Sequence, residues 1–214
     1  MKKLLVFLAV CAIFAACEIN PPSPYDPGDD DDDPIQIVDE LFVPGDEEGE
    51  TIFQTNDSTY WSERGFTLWA LLAGEEEPFQ SREALISKMS GNETAGYGLL
   101  YCFRDDSQYG RTFLVVMINT VSEYIVAEVT ETSFTEIIEW TETPALKQGY
   151  NQNNELRLEY SSVEGTFSLY INDQFQESFR DDEAPLHEAG RQGYIVVISP
   201  QDNFPEEPVS VRFL

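Results

Sequence analysis

Glu136 and Glu139 make this sequence's nearest approach to a general acid opposite a nucleophile, and their spacing defeats it. The run Glu136-Ile137-Ile138-Glu139 reads as a strand, where side chains alternate between faces, so an offset of three sends the two carboxylates to opposite sides. Retaining glycoside chemistry needs both in one groove, about 5 Å apart. His187 is the only histidine and stands in a loop-like segment, Ala184-Pro185-Leu186-His187-Glu188, with no serine or cysteine nucleophile paired to it. Asp29, Asp31, Asp33 and Glu40 match four positions of a calcium-loop template, but Pro34 stands where that loop needs a glycine for its turn. Asp105-Asp106, Asp181-Asp182 and Asp202-Asn203 have the composition of turns. No catalytic set, metal site or cofactor is expected.

The nucleophile with a defined setting is the Cys17 thiol. It follows Lys2 and Lys3, an apolar run from Leu4 to Phe14, and the small residues Ala15 and Ala16. A short basic start and an apolar stretch too short to span a bilayer comfortably form a secretory signal. Small residues ahead of the cysteine let a peptidase approach the backbone, and the thiol can carry a thioether-linked lipid; this resembles the lipobox of bacterial lipoproteins. The resemblance implies that residues 1–16 are removed and that Cys17 becomes the acylated N-terminus. Several acyl chains, at about 0.8 kcal/mol per buried methylene, hold such a protein at a membrane.

Charge excludes other partners. Lys2 and Lys3 leave with the signal, so ten of the 12 basic residues remain against 40 acidic ones. Such a surface has no basic footprint for nucleic acid or anionic headgroups. Cys102 is expected to be a small buried hydrophobe, and with Cys17 lipidated no intramolecular disulfide is left for the mature chain. Residues 17–34, with Pro21, Pro22, Pro24, Pro27 and five consecutive aspartates, read as an extended tether that the folded body does not need.

The folded body, residues 35–214, is a series of short β-branched and aromatic runs separated by turn residues. Strands are predicted over 51–54, 66–72, 84–89, 98–103, 113–118, 124–129, 136–140, 155–160, 167–171, 174–179, 194–198 and 209–213, with turns at Gly91-Asn92, Asp105-Asp106-Ser107, Val163-Glu164-Gly165 and Asn172-Asp173. Alternation places Leu156, Leu158, Leu169 and Ile171 inside and Arg157, Glu159 and Tyr170 outside, so each sheet should have one apolar and one wet face. Trp61, Trp69 and Trp140 are expected to pack in the core or at sheet edges rather than to serve as exposed stacking platforms.

Four segments occur in order: Gly96 to Asp106, Ile137 to Thr141, Asn154 to Leu158, and Phe167 to Gln174. Followed by Gly193 to Ile198 and the closing Val209 to Phe213, they resemble the concanavalin A-like jelly-roll domains of the lectin, laminin-G-like and glucanase superfamily, nearest the branch related to the 3-keto-disaccharide hydrolase domain. The resemblance implies an all-β antiparallel jelly-roll β-sandwich, with calcium sometimes held by its loops and one concave face commonly used for sugar. On that basis a ligand-binding face bearing Arg104, Arg157, Glu159 and Tyr170 is expected, with Tyr170 as a stacking plate. The expected protein is a non-catalytic module, anchored at the bacterial outer membrane, that binds carbohydrate or an envelope protein. The alternatives are a glycan hydrolase of the keto-disaccharide type and a purely structural or adhesive lipoprotein.

Overall fold

The structure, a computed structural model, describes residues 40–61, 63, 65–74, 77–79, 81–106, 110–130, 133–180 and 189–214. Cys17, the tether, Asp181-Asp182 and His187 lie outside the described residues.

The described strands are β1 (Phe42–Pro44), β2 (Thr51–Thr55), β3 (Phe66–Leu71), β4 (Glu77–Pro78), β5 (Arg82–Ser90), β6 (Tyr97–Asp106), β7 (Gly110–Ile118), β8 (Glu123–Thr130), β9 (Phe134–Glu142), β10 (Asn154–Ser161), β11 (Thr166–Ile171), β12 (Gln174–Phe179), β13 (Ala189–Ile198) and β14 (Val209–Phe213). They form two antiparallel sheets. The first runs β1-β2-β14-β5-β10-β11-β12; the second runs β3-β13-β6-β7-β8-β9, with β4 also on β13. Every predicted strand is present. β1 and β4 were missed because three and two residues are too few to show alternation.

The sheets stack through a shared core. The first contributes Phe53, Ile86, Leu156, Leu158, Leu169, Val211 and Phe213, and the second Tyr97, Leu99, Tyr101, Leu114, Val116, Val126 and Val196. Tyr194 of β13 stacks on Phe213 of β14 with ring centroids 4.2 Å apart, which ties the layers together. Asn172 and Asp173 have φ of 49° and 62°, the left-handed pair that a two-residue hairpin between β11 and β12 requires. Gly91-Asn92 is instead a crossover, since β5 and β6 belong to different sheets. Cys102 is buried as expected, at a bulge in the β6–β7 ladder with φ of 57°.

One expectation is corrected. The first sheet has a single apolar face, as the β10 and β11 alternation requires. The second is apolar on both. Phe113, Val115 and Met117 of β7 and Ile125, Ala127 and Val129 of β8 point away from the shared core, yet they are buried in a separate cluster with Leu100, Phe103 and Ile195. Rings from the sheet's edges cover them.

Candidate functional site

That outer face of the second sheet carries a groove with a volume of about 720 Å³. Register explains its shape. One row across the sheet runs Trp69 (β3), Ile195 (β13), Gly98 (β6), Met117 (β7) and Ile125 (β8). Trp140 lies on β9, the opposite edge from Trp69. Both tryptophans lean inward: Trp69 reaches Phe113, three strands away, with ring centroids 5.8 Å apart. A Cβ placed on Gly96 would lie 3.3 Å from the far edge of the Trp140 ring.

Between the two rings the floor is made by Gly96, Phe113, Met117 and Ile195. Gly98 and Gly193 lie on the outward face of neighbouring strands, and a Cβ on either would meet a backbone carbonyl of the next strand at 2.0 and 2.1 Å. Gly96 continues this floor beside Met117.

Polar groups sit at the rim. Asn119, which is 2% exposed, accepts hydrogen bonds at its Oδ1 from the backbone N–H of Val121 and Glu123 and donates through Nδ2 to Glu123 Oε2 at 2.7 Å. The Glu123 carboxylate is thereby fixed at the start of β8. Glu136 faces the groove from β9, whereas Glu139 does not line it. Register sets Glu136 opposite Ala127, four residues along β8 from Glu123, so the two carboxylates project from backbone about 13 Å apart along the strand direction. The groove-lining residues of β7, Phe113 and Met117, are apolar, and among those of β8 only Glu123, at its start, is acidic.

One wall is held by a buried cation. Lys88 points from the inner face of β5 toward the end of the sandwich, fully buried, and donates to the carbonyls of Asn92 at 2.6 Å and Ala95 at 3.1 Å. Asp202 accepts from the backbone N–H groups of Asn92 and Ser199. These bonds join the two loops whose residues Thr94, Ala95, Ser199 and Gln201 form the groove's end. Burial lowers the Lys88 ammonium to about 8, with Asp202 opposing the shift. Since an unfolded lysine titrates near 10.5, the unfolded chain holds more protons between these values, and stability contributed here must rise as pH climbs through that window. Thermal melts from pH 7.5 to 9.5 should therefore move in favour of the parent over Lys88→Met; a constant difference between the two proteins would contradict this.

The residues expected to form the ligand face do not come together. Arg157, Glu159 and Tyr170 share the outer face of the first sheet, on β10 and β11, but Arg104 belongs to β6 in the second sheet, so no single face carries all four. Alternation within one strand cannot say which sheet a strand joins. Arg157 is engaged by its neighbours: it pairs with Glu159, lies 3.7 Å from Asp173 and stacks over Tyr170 with its guanidinium carbon 4.2 Å from the ring centre. Trp69 and Trp140 do pack at sheet edges, as expected, and also wall the groove; Trp61 lies in a loop after a short 3₁₀ turn. The missed floor was signalled by the alternating glycines of Gly96-Tyr97-Gly98, and the two-sided burial by the unbroken apolar run from Phe113 to Ile118.

No protein-family model matches this chain, and no curated protein does. Solved structures do. A carbohydrate-binding module, CBM66 from Bacillus subtilis, superposes with a TM-score of 0.51 at 14% identity over 74% of this chain and 88% of its own. A glycoside hydrolase family 16 endo-glucanase from Bacteroides ovatus gives 0.54 at 7% identity, covering 81% of this chain and 83% of its own. The fold is a concanavalin A-like jelly roll. Identities this low establish the jelly roll's architecture and leave the chemistry to its own residues.

Proposed function

We propose that this jelly roll is a non-catalytic carbohydrate-binding module of the bacterial cell envelope, anchored by lipid on Cys17. The carrying observation is the groove itself: two tryptophans leaning from opposite edges over a mainly apolar floor of Gly96, Phe113, Met117 and Ile195, a volume within the ~300–1,000 Å³ usual for small-ligand sites, and polar groups toward the rim. Flat rings over an apolar floor suit the C–H faces of sugars, and rim amides and hydroxyls suit their oxygens. The apolar central strands and the distance between Glu123 and Glu136 favour holding a glycan over cleaving it. A glycan array with the purified protein tests the reading; it fails if no glycan is retained, or if glycans are retained equally by Trp140→Ala.

The anchor has its own test. Since the acidic surface offers a bilayer nothing electrostatic, Cys17→Ser should prevent acylation and shift mature protein from the membrane to the soluble fraction. Continued palmitate labelling of that variant would refute the assignment.

A further inference from the structure

We infer that the groove is built for a glycan carrying free amino groups, a polymer of 2-amino-2-deoxy sugars; the inference rests on the carbohydrate reading and narrows it. The residues lining the groove include two carboxylates, Glu123 and Glu136, and no lysine, arginine or histidine among the described ones. The whole chain carries a formal charge of −28, so uronate or sulfated polymers are repelled from this face as from every other. The two groove carboxylates differ from the general acidity in their placement. Both stand beside Trp140, Glu136 four residues before it on the same strand and Glu123 on the neighbouring strand at the other end. Asn119 holds Glu123 through Oε2, which leaves Oε1 to accept from a ligand. A sugar stacked on Trp140 therefore has a carboxylate on either side along the strand direction, Glu123 held by Asn119 and Glu136 exposed on β9.

A metal ion does not meet this arrangement. The carboxylates arise from backbone about 13 Å apart along the strands, too far to share one cation, and no group of three potential ligands occurs among the described residues. Separate ammonium groups on successive sugars meet it well. Solvent-screened ammonium–carboxylate contacts are individually modest, so two of them amount to roughly a tenfold gain in affinity.

The test compares β-1,4-linked glucosamine tetramer with its fully N-acetylated counterpart, which keeps the same rings and linkage but has no charge. Titrated into the purified protein at low salt, the amino form should bind about tenfold more tightly. In Glu123→Gln/Glu136→Gln, which is isosteric and changes overall charge little, the ratio of the two affinities should fall to about one, whatever the change in absolute binding. Equal binding of the two tetramers by the parent protein would overturn the amino-sugar inference and leave the carbohydrate reading standing. An advantage that persists in the double glutamine variant would overturn it too, by assigning the gain to the acidic surface at large. If no glycan binds at all, both readings fall together.

Discussion

Removing both rings, in Trp69→Ala/Trp140→Ala, is expected to abolish glycan binding, with each truncation alone weakening it by about 2 kcal/mol, roughly thirtyfold. The two side chains lean over one floor from opposite edge strands, so each supplies a surface that its partner cannot replace. The fold should survive, because the shared core of Tyr97, Leu99, Leu114 and Val116 faces the other way. Tyr170→Ala supplies the contrast. Its half-buried ring lies on the outer face of the other sheet beside Arg157 and Phe175, so binding should be unchanged in that variant. Isothermal titration of the four proteins with a glycan selected by array separates these outcomes, and a loss in Tyr170→Ala with none in the tryptophan variants would move the site to the first sheet.

Gly98→Ala should cost far more stability than Gly96→Ala, although the two glycines are only two residues apart, Gly98 within β6 and Gly96 just before it. At Gly98 the new methyl meets Val116 O at 2.0 Å and Met117 Cα at 2.8 Å, both backbone, so the central ladder itself must shift. A cost of about 3 kcal/mol is expected, lowering Tm by roughly 6–12 °C for a domain of this size. At Gly96 the nearest atom is Met117 Sδ at 3.1 Å, the flexible part of a side chain, followed by the Trp140 ring at 3.3 Å. Gly96→Ala should melt within a few degrees of the parent. The bulkier Gly96→Leu should also fold but fill the groove, giving a route to lost binding that leaves both tryptophans in place. Equal melting temperatures for the two alanine variants would mean that close strand approach at Gly98 is not what shapes the floor.

Much of the architecture was legible before any coordinates. Alternation in Leu156 to Tyr160 and Phe167 to Ile171 fixed which residues enter the core, because a strand's period of two leaves a half-buried sheet no other register. The positive-φ turn at Asn172-Asp173 followed from residue types that tolerate it. The site was less legible. Arg157, Glu159 and Tyr170 were correctly placed on one outward face, yet that face lies across the sandwich from the groove, and Arg104 belongs to the other sheet.

The sequence by itself determined the strands, their inward faces and the antiparallel sandwich, since these depend on local period, turn chemistry and summed apolar content. It also set the strongly acidic composition and the arrangement of small residues before Cys17. Only the tertiary structure decided which strands share a sheet, and with that which outer face becomes a site. Trp69 and Trp140 are 71 residues apart in sequence and the width of a sheet apart in space; their convergence over one groove depends on long-range pairing of β3 with β13 and β9 with β8. Periodicity reports the face a side chain takes relative to its own strand. Whether that face meets water, a second sheet or a groove roofed by distant rings is a property of the neighbours, and neighbours are assigned only when the chain folds.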